Sequence, residues 1–335
     1  MENKIILNST ELTGIMNRDE MNKLSLVIEE KKWNDYRKKY DEAANLNLLD
    51  FPIQIDFELN SSCNLKCPMC PISAESPKGK GKSTWFDFEF YKKIIDYSYQ
   101  QGTRAIKLNY VNEPLIRKDL IKFIEYAHKA GIIDIYLSTN GMLLTNKMSD
   151  ELIDSGLTRI QISIDAVYED TYQKVRPGGK LKTVISNLEN FIKLKKQKKK
   201  LIPLTRVNFV KTSLNETELD EFISYWSNKV DMIGVQEFVK PTKVKNSSIT
   251  SKKTVKKKNF KCSFPFKQLV ITNEKKILPC CTFWGEELPL NTLKNPEDLK
   301  TAWNNEKMRN LRQTHLNGDY QSIAQCKNCV EGGLS

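Results

Sequence analysis

Cys63, Cys67 and Cys70 are spaced C-x3-C-x2-C directly behind an apolar run, residues 53–59, that reads as a buried strand. A loop at the C-terminal edge of that strand would present the three sulfurs together as a chelating set. Three thiolates can hold three irons of a [4Fe-4S] cube and leave the fourth open to a ligand. A tetrahedral zinc would want a fourth protein ligand that the neighbourhood does not supply. A second set lies towards the end of the chain: Cys262, Cys280, Cys281, Cys326 and Cys329, one thiol more than a closed cube needs. The C-x2-C spacing of Cys326 and Cys329 lets two sulfurs reach one metal or cluster, and a zinc ribbon would use the same ligands. Spacing does not decide between Cys280 and Cys281, because neighbours in a strand point to opposite faces.

These sulfurs need a scaffold, and the sequence predicts an α/β one. After the strand at 53–59, helices at 86–101, 117–130, 146–155, 181–196 and 216–228 alternate with strands at 104–110, 132–138, 159–165, 203–210 and 232–238. Gly102, Gly131 and Gly156 close three of the helices. Six such units predict a parallel sheet with helices outside, and chemistry at the C-terminal strand ends. Residues 1–50 form an N-terminal helical extension, with a helix over 17–46 expected on the outside of the main domain. Residues 51–240 make the main domain, 241–261 a lysine-rich linker, and 262–335 a small C-terminal domain whose run 270–278 reads as a β-hairpin.

Composition narrows the class. The 335 residues can bury a core in each of two domains, and no stretch approaches a membrane span. The N-terminus lacks the pattern of a secretory signal, so a cytoplasmic protein with reduced cysteines is expected. The formal charge of +12 comes from 53 basic residues, of which nine are arginine. Nucleic-acid readers lean on arginine forks, so lysine runs such as KLKKQKKK read as solvated surface rather than as an RNA-binding face. His128 and His315 are expected at the surface.

The cysteine motif, with Met69 before its third cysteine, resembles that of the radical S-adenosylmethionine (SAM) superfamily. The resemblance implies an open (β/α)6 partial TIM barrel. It also implies a cluster whose open iron binds the methionine part of SAM and, on one-electron reduction, yields a 5′-deoxyadenosyl radical. Asn112-Glu113-Pro114 aligns with the family's Gly-Gly-Glu-Pro turn and makes Glu113 a partner for the SAM amino group, although Val111 and Asn112 replace both glycines. Ser138, Asn140 and Ser163, at two strand ends, resemble residues that touch the ribose or carboxylate of SAM. Arg176, before Pro-Gly-Gly, stands where many members keep an arginine for that carboxylate. Gln236 and Glu237 end the last strand and could face substrate or adenine.

The C-terminal cysteines resemble a SPASM/twitch auxiliary domain in its single-cluster, β-hairpin/helix form. That resemblance assigns Cys262, Cys280, Cys326 and Cys329 to a second [4Fe-4S] cluster and leaves Cys281 as a candidate hydrogen-atom donor. The function implied is hydrogen abstraction from a small polar substrate, a sugar, cyclitol or nucleotide-sugar, giving alcohol oxidation or epimerisation. An electron donor such as flavodoxin or ferredoxin would serve it. Maturation of a ribosomal peptide is the alternative, and RNA modification stands behind both.

Overall fold

The computed structural model describes residues 5–7, 23–75, 84–238 and 259–331; residues 17–22 of the expected helix and 241–258 of the expected linker lie outside them. Strands β1 (Ile5–Leu7), β2 (Gln54–Phe57), β3 (Ala105–Lys107), β4 (Asp134–Thr139), β5 (Arg159–Ser163), β6 (Leu204–Lys211), β7 (Met232–Glu237), β8 (Gln268–Ile271), β9 (Lys276–Leu278) and β10 (Asn291–Thr292) form one sheet. Its order is β1-β7-β6-β5-β4-β3-β2-β8-β9-β10. Neighbours from β2 to β7 are parallel and sequential, which is the open (β/α)6 half-barrel expected. The three helix-closing glycines have φ of 115°, 103° and 91°.

The sheet does not stop at the half-barrel. On one side β8 pairs parallel to β2, with the hairpin partner β9 and then β10 beyond it, so the second cysteine set grows out of the same sheet. On the other side β1 pairs with β7.

Alternation along the strands separates two faces. In β5, Ile160 and Ile162 are buried in the main core beside helix residues such as Val184 and Leu188, while Arg159, Gln161 and Ser163 lie half-buried on the opposite face. Parallel register aligns Asp56, Lys107, Tyr136 and Arg159 as one row across four strands of that opposite face. Ser138, Gln161 and Arg206 make the next row, and Ser163 and Asn208 the one after.

The helix Glu30–Ala44 packs on the outside of the main domain, across the starts of its strands. Its Trp33 and Tyr36 pack with Ile53, Ala105, Leu204 and Met232, which stand at or beside the N-terminal ends of four barrel strands. Tyr36 Oη donates to Asp134 Oδ2 at 2.8 Å, and Arg159 Nη2 pairs with the same oxygen at 2.8 Å. The helix is therefore the floor of the barrel, and a site on the cleft face is approached from the C-terminal strand ends.

Candidate active site

The loop behind β2 is anchored from three directions. Glu113 N donates to Ser62 O (2.9 Å), Lys66 N to Pro177 O (3.2 Å), and Asn140 Nδ2 to Asn64 Oδ1 (2.8 Å). Cys67 and Met69 are buried, and Cys63 and Cys70 are partly so. Burial pushes the Cys63 thiol up to about 11 and Cys70 to about 12, and raises Cys67 as well. Three dehydrated thiols stay protonated until a cation of high charge takes them as thiolates, and cluster iron is such a cation.

Of the residues assigned to SAM, Glu113, Asn140 and Arg176 contact this loop. Glu113 is buried, and its carboxylate accepts from Leu115 N (3.0 Å), Thr139 Oγ1 (2.7 Å) and Asn140 N (2.8 Å). Burial raises its pKa, and these bonds counter the rise. It ties the turn after β3 to the end of β4 and leaves little acceptor capacity for a ligand. Asn140 Nδ2 also lies 3.9 Å from Cys63 Sγ.

Arg176 points its fork at Asp165, with Nε donating to Oδ2 at 2.8 Å and Nη2 closer still, while Nη1 lies 3.9 Å from Cys67 Sγ. Arg176, expected at the SAM carboxylate, is thus paired with Asp165 beside the cysteine loop. Asp165, which sequence reasoning did not single out, holds it from a left-handed backbone (φ 63°) and also accepts from Val210 N at 2.7 Å. Ser138 and Ser163 lie on the cleft face, half-exposed.

The second centre is a cleft enclosing about 440 Å³ of empty space, part of it open to solvent, and lined by Cys262, Cys280, Cys326 and Cys329. Cys326 and Cys329 sit one turn apart on the helix Ala324–Glu331, which puts both sulfurs on one side. Cys281 is not among the lining residues. Its thiol, pushed up to about 12 by burial and then by the charge of Asp56, lies near Lys107 and Gln268, on the barrel side. Four sulfurs set round one cavity suit a cube. His315 is not at the surface: it is buried on this cavity's wall, accepting from Cys262 N at 3.3 Å with Nε2 at 3.6 Å from Cys326 Sγ. His128 is exposed, as expected.

Residues 58–210 match the family described as the Radical SAM superfamily. Residues 262–330 match SPASM, an iron-sulfur cluster-binding domain. The chain belongs to the radical SAM superfamily. Its cofactors are accordingly [4Fe-4S] clusters and SAM. A probable GTP 3′,8-cyclase of Methanococcus maripaludis is 32% identical over 182 residues, 54% of this chain, and the chain spans 57% of that relative's length. Among solved structures, Streptococcus suis SuiB bound to S-adenosylmethionine superposes with a TM-score of 0.63 at 17% identity, covering 96% of this chain and 84% of SuiB. BtrN in complex with AdoMet and 2-DOIA gives 0.51 at 18% identity, with 83% and 93% covered. These likenesses establish the radical SAM fold. No helix among the described residues is long and apolar enough to cross a membrane.

Between the two centres the radical SAM scaffold presents a polar row. Tyr110 Oη donates to Thr282 O at 2.8 Å and ties the end of β3 to the Cys280 segment. Asp56, which sequence reasoning passed over inside an apolar run, is buried on the cleft face with its pKa raised to about 6, chiefly by burial against the opposing pull of Lys107. Its carboxylate accepts from Gln54 Nε2 at 2.6 Å. The available signal was the strict alternation from Ile53 to Leu59, which puts Gln54, Asp56 and Glu58 together on the face opposite the apolar residues.

Proposed function

We propose that this radical SAM enzyme removes a hydrogen atom from a small polar substrate of nucleotide, sugar or cyclitol type, seated on the cleft face between the two cysteine centres. Cys63, Cys67 and Cys70 would hold the first cluster, and Cys262, Cys280, Cys326 and Cys329 the second. When bound, the first cluster with SAM supplies a carbon radical able to take a hydrogen atom from an unactivated C–H, and the second supplies an acceptor for one electron. The reducing electron would come from a flavodoxin- or ferredoxin-type donor.

The observation that carries the reading is the buried polar row itself. Asp56, poised near neutral pH and set beside Lys107, can hold the proton released when an alcohol carbon is oxidised to a ketone. Lys107 and Arg159 limit the build-up of negative charge there, and the Tyr36 floor keeps bulk water from the N-terminal side. A second reading, epimerisation, is favoured by one observation: the Cys281 thiol is on the barrel side and fully protonated, as a hydrogen-atom donor must be. The GTP 3′,8-cyclase name of the curated relative supports a nucleotide substrate; the SuiB likeness supports the alternative of a peptide.

The test is anaerobic reconstitution with SAM, dithionite and candidate nucleotides, nucleotide-sugars and cyclitols in deuterated water, comparing wild type with Cys281→Ala. A product two hydrogens lighter, with no solvent deuterium at carbon, supports oxidation. Deuterium at carbon that disappears in Cys281→Ala supports inversion. Substrate-independent release of 5′-deoxyadenosine with every candidate, alongside turnover of a peptide, would overturn the small-molecule reading.

A further inference from the structure

Arg206 lies on the cleft face of β6, and among the described residues no acid answers it. Its Nε is buried without a hydrogen-bond partner. Nη2 reaches Asn208 Oδ1 only at 3.4 Å, the long end of the hydrogen-bond range. Acids that could have served are engaged elsewhere: Asp134 with Arg159, Asp165 with Arg176, and Glu237 with Lys211 at 2.7 Å. Burial and the neighbouring Arg159 lower the Arg206 pKa to about 10, and the guanidinium is still a cation at neutral pH.

The backbone beside it is cut away to make room. A Cβ on Gly234 would stand 2.0 Å from Arg206 Nη2 and 2.5 Å from its Cζ. Gly234 has no left-handed φ, so its backbone could be adopted by any residue. Glycine inside a strand costs stability, and here the missing side chain leaves the space that the guanidinium fills. Register places Gly234 opposite Asn208, two residues nearer the C-terminal strand ends than Arg206 itself. The side chain therefore leans towards the open end of the cleft. There, Asn208 Nδ2 donates to Gln236 Oε1 at 2.9 Å and closes off the flank.

A buried cation without a counter-charge is costly, and a ligand that brings the counter-charge recovers that cost. We propose that Arg206, seated over Gly234, is the anchor for an oxyanion group of the substrate, a phosphate or a carboxylate. A planar guanidinium fork matches either bidentately. The proposal rests on the reading that the cleft face holds the substrate. It adds that the substrate is anionic and is gripped on the β6–β7 side, across the sheet from Asp56 and Cys281, so that the anchor fixes which C–H faces the radical.

The experiment uses reconstituted wild-type protein and phenylglyoxal, which modifies arginine, with peptide mass spectrometry at Arg206 and at exposed Arg309 as control. Pyrophosphate and malonate are the probes, with chloride at equal ionic strength. The expected result is protection of Arg206, but not Arg309, by one of the two anions: pyrophosphate identifies a phosphate group, malonate a carboxylate. By calorimetry, Arg206→Gln weakens the protecting anion by about 30-fold or more. Gly234→Ala, which keeps every donor but displaces the fork, abolishes protection. Iron content and circular dichroism report whether each variant is folded, and the wild-type protection stands whatever they show. Equal modification of Arg206 with chloride, pyrophosphate and malonate overturns the proposal. If that occurs in protein that still releases 5′-deoxyadenosine from SAM, the anchor falls alone; loss of that release with protection intact sinks the radical reading instead.

Discussion

Arg176 and Asp165 form an ion pair whose outer edge touches the first cysteine centre, Arg176 Nη1 lying 3.9 Å from Cys67 Sγ. Asp165 is fully buried and Arg176 nearly so. Removing one partner leaves the other as an uncompensated buried charge, so Asp165→Asn is expected to cost roughly 3 to 5 kcal/mol in urea unfolding. The freed guanidinium would also disturb Cys67, and iron bound at the first centre falls. Wild-type stability and iron content in Asp165→Asn would show that the pair is incidental.

The adjacent cysteines are expected to separate cleanly. Cys280 lines the second cavity and Cys281 does not. Two cubes give about eight irons per chain; Cys281→Ala should keep them, and Cys280→Ala should lose up to about four. Gly285→Ala tests the same wall without touching a ligand, since its Cβ would fall 2.7 Å from Cys280 O and 3.0 Å from Cys280 Sγ. It should lower iron at the second centre only, read by iron and sulfide analysis with Mössbauer spectroscopy. Retention of all iron by Cys280→Ala would reverse the assignment.

Asp56 gives two pH signatures. Its folded pKa of about 6 stands above the ordinary carboxyl value of 3.8, so the folded state binds the proton more tightly than the unfolded chain. Stability linked to it is present below the unfolded value and is lost as pH rises through about 6, by about 3 kcal/mol in all. Asp56→Asn should flatten that loss between pH 4 and 7 in urea titrations. Activity runs the other way, because only the carboxylate accepts a proton: kcat/KM should rise with a midpoint near 6 and fall about 100-fold or more in Asp56→Asn. The groups facing Asp56 include Lys107, Lys267, Arg159, Cys281 and Tyr136, with Gln54 hydrogen-bonded to it. A pH-independent rate in the wild type would remove Asp56 from the mechanism.

The floor of the barrel can be tested by a single oxygen. Tyr36→Phe deletes the bond to Asp134, a buried carboxylate shared with Arg159, and should cost about 2 kcal/mol at pH 7. Thermal unfolding checks it, and an unchanged midpoint would mean that the helix Glu30–Ala44 is only loosely docked.

Much of this architecture was legible in the sequence because two periods carry it: alternation in strands such as Arg159–Ser163 and 3.6-residue spacing in the helices between them. What the sequence hid is partnership at a distance. Apolar residues at helical spacing show that Trp33 and Tyr36 face a core, but not that the core is the ring of strand starts. The short helix Glu169–Val175 and the left-handed turn at Asp165 swing Arg176 onto an acid eleven residues earlier, a pairing no local pattern encodes. His315 reads as one more polar residue of a polar helix and is buried because Cys262 and Cys326 converge on it from other segments. Asp56 and Arg206 fall at polar positions of alternating strands, so the pattern gives the face each takes but not the partners it meets there.

The most direct measurement is 5′-deoxyadenosine released from SAM by the anaerobically reconstituted, dithionite-reduced chain, beside Cys67→Ala. Release by wild type and its loss in Cys67→Ala, with the iron of the second centre retained, is the predicted result. No release from protein carrying its full iron, or undiminished release from Cys67→Ala, contradicts the account.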